Sequence, residues 1–277
     1  MDYKIIVDSC CDMTPELAER LGVTSIPMTM MLGSKEFVDD ETLDLEGFMA
    51  EMKACTEKVS SACPSPHAFM EAIETAIHSF VVTISSQLSA SFASAEMGKS
   101  LAAERGITDT HVFDSKSASA GEVLIAVKLR ELLSKGLPRE QIIKSINSFI
   151  NSMKTYFVLE RYENLIKNGR LNKVTGRIIS ILNFKMIMGA DGHGTIALFA
   201  KPRGTAQMLE KMVSMVKSSN RPINGENMVI CHCNNLPLAK QLSNTIRQNF
   251  NFKEIFIIPV KGVISVYADD KGIVMAF

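Results

Sequence analysis

Four short apolar runs constrain this chain most: "YKIIVD" (Tyr3 to Asp8), "VTSIPMTMML" (Val23 to Leu32), "FVVTIS" (Phe80 to Ser85) and "HVFDS" (His111 to Ser115). Segments of helical spacing alternate with them, namely "MTPELAERLG", "DLEGFMAEMKA" and "SPHAFMEAIETAI". Buried strands separated by helices predict a parallel sheet covered on both faces. Local signals mark the helix ends. Gly22 closes the first helix, and Ser65 followed by Pro66 opens the third.

After two long helical segments the pattern changes near Met153. "TYFVLE", "ILNFKMIMG", "GTIALFA", "NMVICHC", "EIFIIPV" and "KGIVMAF" read as strands, with helices at "GTAQMLEKMVSMVKSS" and "LPLAKQLSNTIRQNF". The turn "ADGHG" reads as a hairpin connection. We therefore expect two α/β domains, residues 1–152 and residues 153–277. The first is a three-layer α/β/α unit on a parallel sheet and the second a two-layer unit on a mixed sheet.

Composition removes several function classes. Lys plus Arg and Asp plus Glu are 30 each, so no global basic field exists to attract nucleic acid. No apolar run approaches the roughly 18 residues needed to span a bilayer, and "MDYKIIVDSCCD" reads as a first strand and not as a signal peptide. Stable membrane insertion is not expected. Six cysteines, two of them adjacent at Cys10 and Cys11, do not suggest a disulfide framework, which points to a reduced, cytoplasmic chain.

Cys231-His232-Cys233 lies on a strand, where the cysteines face one side and the histidine the other, and no second pair completes a zinc site. No metal or cofactor site is expected. No GxGxxG or GxxxxGK[ST] motif appears, so nucleotide binding has no support. The unusual stretch is "VVTISSQLSASFASAEMG", where a buried strand runs into Ser85, Ser86, Ser89, Ser91 and Ser94 with almost no charge. Ser61 precedes another helix start in "KVSSACPSPHAF". In a doubly wound sheet these residues fall on the rim at the strands' carboxyl ends, where ligands bind. Either the hydroxyls cap helices, or they converge on a group that needs donors. A serine nucleophile at Ser89 or Ser91 is a further alternative, although G-x-S-x-G is absent.

The order of these segments resembles the DegV family. "VDSCCDMTPELAERLGVTSIPMTM" looks like its D-S-x-x-D opening, "SSACPSP" its T-S-Q-P-S segment, "ISSQLSASFASA" its I-S-S-x-L-S-G-T-x-x-S-A, and "VFDSKSASAGEVLIA" its V-x-D-S-x-x-x-S-x-G. "FVLERYENLIKNGRLNKVTG" resembles the segment ending in G-G-R-I. The likeness runs from residue 3 to about residue 205. It implies a two-domain, non-enzymatic protein that holds a long-chain fatty acid such as palmitate or stearate in a buried apolar tunnel and presents it to a fatty-acid kinase.

Position by position, the resemblance carries the carboxylate-binding hydroxyls onto Ser61, Ser89 and Ser91, and the arginine of G-G-R onto Arg170 as a partner contact. Ser265 falls at the family's C-terminal histidine. These departures leave open a different amphipathic ligand, or an acyl hydrolase using Ser89 or Ser91. The physical chemistry agrees with a lipid. A sixteen-carbon chain at ~0.8 kcal/mol per buried CH₂ supplies roughly 12 kcal/mol before ordering costs, and two or three neutral donors satisfy its carboxylate without a buried cation.

Overall fold

The computed structural model describes residues 3–171 and 184–277. Strands β1 (Lys4–Asp8), β2 (Val23–Ile26), β6 (His78–Thr83) and β7 (Asp109–Asp114) form a parallel sheet in the order β2-β1-β6-β7. Ile5, Ile6 and Val7 of β1 and Phe80, Val81 and Val82 of β6 are fully buried because both faces are covered. On one side Phe69, Met70 and Ile73 of α3 (Pro66–Glu74) and Ala95 and Ala102 of α4 (Ser91–Glu104) pack on Ile6, Val81 and Val112. On the other lies α5 (Ala120–Ser134), with Val123, Leu124, Ile125, Ala126 and Leu129 all buried.

The same helix also packs on a second, six-stranded mixed sheet. That sheet has the order β10-β9-β8-β13-β11-β12, made of β8 (Thr155–Val158), β9 (Ile187–Ala190), β10 (Ile196–Ala200), β11 (Asn227–His232), β12 (Glu254–Pro259) and β13 (Ile273–Ala276). Only β11 and β12 pair in parallel. Its outer face is covered by the Met-rich helix Gly204–Lys217 and by Leu236–Asn249. One hydrophobic core joins Ile5, Phe80 and Phe113 to Val229, Ile258 and Val274, so residues from both sheets are packed together.

Two expectations need correction. "VTSIPMTMML" is not one strand: it breaks at Pro27, which has no N–H to donate. Val23–Ile26 joins the parallel sheet, whereas β3 (Thr29–Leu32) pairs antiparallel with β4 (Lys35–Val38) and β5 (Val59–Ala62) in a third, three-stranded sheet. Ser61 consequently sits on a strand, opposite Met30. "VISVYA", assigned to no element from the sequence, is a short helix at Gly262–Ala268. The start of the expected strand at 181–183 and the end of "GRLNKVTG" lie outside the described residues. Among those described, no helix is long and apolar enough to cross a membrane.

Candidate functional site

The carboxyl end of β1 organises the site. Asp8 is fully buried; its Oδ1 accepts from the Cys10 N–H (3.1 Å), and its Oδ2 from the Ile84 N–H (3.0 Å) and the Ser91 hydroxyl (2.6 Å). One carboxylate thus fixes the ends of β1 and β6 and the start of α4.

The serine run divides by partner. Ser85 donates to the Gly194 carbonyl (2.8 Å), Ser86 to Asp114, Ser91 to Asp8 and Ser94 to the Pro64 carbonyl (2.6 Å). Ser89 differs. Its Oγ accepts the Ser91 N–H at 3.2 Å, and its own proton has no protein acceptor among the described residues. Ser89 lines an apolar cavity, while Ser91 is fully buried beneath it and does not.

Ser61 also lines the cavity, and its Oγ lies 2.8 Å from Tyr267 Oη. Tyr267 is carried by helix Gly262–Ala268, whose first N–H groups are held by Asp39: Gly262 N–H at 2.8 Å and Val263 N–H at 3.1 Å. A Cβ at Gly262 would stand 2.7 Å from Asp39 Oδ1 and 2.6 Å from Leu43 Cδ2, so only glycine allows this close approach. Arg170 turns inward as a half-buried cavity residue. Its guanidinium donates to the carbonyls of Leu88 (3.0 Å) and Asn168 (2.6 Å) and lies 6.0 Å from the Tyr267 ring centroid. Ser61, Ser89, Arg170 and Tyr267 therefore share one cavity, and Ser91 stands outside it.

The cavity has an empty volume of about 860 Å³, its opening to solvent included. Apolar side chains make most of its wall, among them Leu88, Phe157, Leu159, Leu165, Ile264 and Val274. The loop after β7 closes another side: Ser119 N–H donates to the Cys10 carbonyl and Ser85 N–H to the Ser117 carbonyl. In that loop Lys116 and Ser119 adopt left-handed φ of 49° and 56°, a strained conformation of the kind found at ligand sites.

Buried carboxyls underlie the site. Burial pushes Asp12 up to about 8, against the opposing effect of the Ser119 hydroxyl and the Lys261 N–H that donate to it. Burial likewise raises Asp8, Asp39 and Glu122. Asp8, Cys10 and Glu122 could offer one ligand atom each, all within 4.8 Å. The arrangement suits a proton better than a cation, because burial also raises the Cys10 thiol and both Asp8 oxygens already accept protein donors. At Cys231-His232-Cys233 both cysteines are buried in the core, and His232 Nδ1 faces the Asn235 N–H at 3.4 Å.

Sequence reasoning missed Tyr267. Ser265, placed at the family's histidine, is fully buried and donates to the Gly262 carbonyl at 2.7 Å. Tyr267, two residues on, is the side chain of that helix whose polar tip meets Ser61. The available signal was an aromatic residue with a polar end inside an apolar segment.

The family model of the uncharacterised DegV proteins matches residues 2–277. A curated DegV domain-containing protein of Streptococcus pneumoniae is 36% identical over 281 residues, covering 100% of this chain and 99% of the relative. Among solved structures, a DegV family protein of Ruminococcus gnavus refined with vaccenic acid superposes with a TM-score of 0.94, at 36% identity and 99% coverage of both chains. The Fatty Acid Kinase (Fak) B3 protein of Streptococcus pneumoniae, loaded with linoleic acid, has a TM-score of 0.91 at 36% identity, covering 100% of this chain and 99% of that one. A DegV family protein of Eubacterium eligens loaded with heptadecanoic acid has a TM-score of 0.93 at 26% identity, with 99% of both chains covered.

Proposed function

The chain belongs to the DegV family, and on that premise we propose that it binds a long-chain fatty acid in the cavity between its sheets. The observation that carries this reading is the cavity itself, an apolar enclosure lined by Ser61, Ser89, Arg170 and Tyr267. Full-length relatives at 36% identity carry vaccenic and linoleic acids, which supports it.

Ser61, Ser89 and Tyr267 are proposed to donate to the carboxylate, with Arg170 as the cation facing it. Ser91 serves indirectly, because its hydroxyl is committed to Asp8 while its N–H orients Ser89. A carboxylate so placed keeps its charge through hydrogen bonds, and tail burial provides most of the affinity. None of the five histidines lines the cavity, so no histidine base stands beside Ser89 for ester hydrolysis. That favours a carrier over a hydrolase. The Fak B3 likeness supports a kinase subunit as the recipient of the bound acid. Six free cysteines support a reducing, cytoplasmic setting. The division into 1–152 and 153–277 is proposed to separate the halves that enclose the ligand.

Mass spectrometry of an organic extract of the purified protein, set beside its native intact mass, tests the reading. A stoichiometric C14–C18 acid, diminished in a Ser61→Ala/Ser89→Ala double variant, is expected. A protein of apo mass that also takes up no added fatty acid would overturn it.

A further inference from the structure

The far end of the cavity is not pure hydrocarbon. Thr155 and Ser117 are 5% and 3% exposed, line the cavity, and place their hydroxyl oxygens 2.7 Å apart. Room for this pair comes from Gly121, where a Cβ would stand 2.1 Å from Ser117 Oγ and 3.0 Å from Thr155 Oγ1. Two hydroxyls own two protons, and one proton is spent in their mutual bond. The other has only the Ala118 carbonyl, 3.5 Å from Ser117 Oγ, beyond normal hydrogen-bond range. Neighbouring polar groups are committed elsewhere: Ser119 to Asp12, Thr195 to Asp191 and Lys116 to Asn151. One donor at this end therefore faces the cavity unspent.

Its depth follows from the strand. Thr155, Phe157 and Leu159 all line the cavity, as alternate residues of β8 and its extension must. Leu159 lies beside Ala268, the neighbour of Tyr267, since a Cβ at Gly272 would meet Ala268 Cβ at 3.0 Å and Leu159 Cδ2 at 3.1 Å. Four residues of strand span about 13 Å. An extended alkyl chain advances about 1.25 Å per carbon, given bonds near 1.52 Å and angles near 111°. The hydroxyl pair thus lies about ten carbons along the strand from Leu159, which stands beside the residue next to Tyr267.

We infer that the cavity accepts acyl chains bearing a hydroxyl or oxo group at about the tenth carbon or beyond, received by the Ser117–Thr155 pair. This rests on the fatty-acid reading of the same cavity. A wholly hydrocarbon wall would reject such an oxygen, because burying it unpaired is costly. Here it gains a donor that is otherwise unused.

Competition calorimetry on the delipidated protein tests this with octadecanoic, 10-hydroxyoctadecanoic and 12-hydroxyoctadecanoic acids. The reading is the affinity ratio of hydroxylated to plain acid. One hydrogen bond predicts that this ratio falls three- to tenfold in Thr155→Val and in Ser117→Ala, and that Thr155→Ser retains it. A ratio unchanged within twofold in both variants, with octadecanoate still bound by the parent protein, overturns the inference alone. If the parent protein binds none of the three acids, the fatty-acid reading fails with it.

Discussion

Replacing Tyr267 by Phe deletes one oxygen from the proposed head-group site and leaves the ring that stands near Arg170. In the unliganded protein, Ser61 and Tyr267 share one hydrogen bond at 2.8 Å, which opens when both hydroxyls turn to an incoming carboxylate. A hydrogen bond to a charged acceptor contributes about 1.5–3 kcal/mol, which corresponds to a ~10- to 150-fold rise in Kd for a fatty acid. The tail's share is untouched, so each methylene from C14 to C18 must still change affinity about fourfold, from ~0.8 kcal/mol per CH₂. Titration of the delipidated variant with the acid and with the matching fatty alcohol separates the two contributions. The alcohol carries no charge, and its loss must be smaller than that of the acid. Equal losses for both, or a shift in acid affinity below threefold, would show that Tyr267 packs against the ligand and does not bind its charge.

Three further outcomes are expected. Asp39→Ala strands the buried N–H groups of Gly262 and Val263 and should cost about 2–6 kcal/mol, at ~1–3 kcal/mol per orphaned donor; a urea midpoint shift worth less than 1 kcal/mol contradicts that accounting. Gly98→Ala would put a Cβ 2.6 Å from Phe69 Cβ and 2.7 Å from the Pro66 carbonyl, forcing α3 and α4 apart at a cost of about 1–3 kcal/mol or more, read by thermal unfolding. Asp12, at about 8 when folded against 3.8 for an ordinary aspartate, keeps its proton where the unfolded chain has lost it. Its contribution to stability is therefore full below about pH 4 and is lost as pH rises towards 8, and denaturation at pH 5 and pH 8 should show a flatter pH dependence in Asp12→Asn.

The sequence made some features legible because their causes are local. Gly22 closes its helix with a left-handed φ of 60°, and Ser65 accepts the Ala68 N–H as a cap. The sequence singled out the uncharged serine run, of which Ser89 lines the cavity and Ser85, Ser86, Ser91 and Ser94 do not. What it could not tell was which hydroxyl is free. Ser91 looks like Ser89 in the sequence, yet its partner Asp8 lies 83 residues away, and only the packing of β1 against β6 brings the two together. The same holds for Arg170, drawn inward by the Leu88 carbonyl 82 residues away. Tyr267 was hidden for another reason. Its helix has seven residues, too few to show an apolar period, and owes its position to Asp39, more than 220 residues earlier.

Four buried carboxyls, if charged, would repel an anion held above them. Burial raises Asp8, Asp12, Asp39 and Glu122, which weakens the charge they can carry in the interior. Glu122 and Asp8 stand together, and no N–H or hydroxyl among the described residues donates to the Glu122 oxygens. Burial and the charge of neighbouring Asp8 both raise Glu122, favouring its neutral form, and Asp8 spends its acceptors on Cys10, Ile84 and Ser91. Its field is thus directed into donors that set the shape of the rim. Ser91, its hydroxyl fixed on Asp8, presents its N–H to Ser89 Oγ. With that acceptor filled, the Ser89 proton is the part left to face the cavity. The buried acids therefore aim a neutral donor at the ligand, and Arg170, held by the carbonyl of Leu88 next to Ser89, supplies the positive charge.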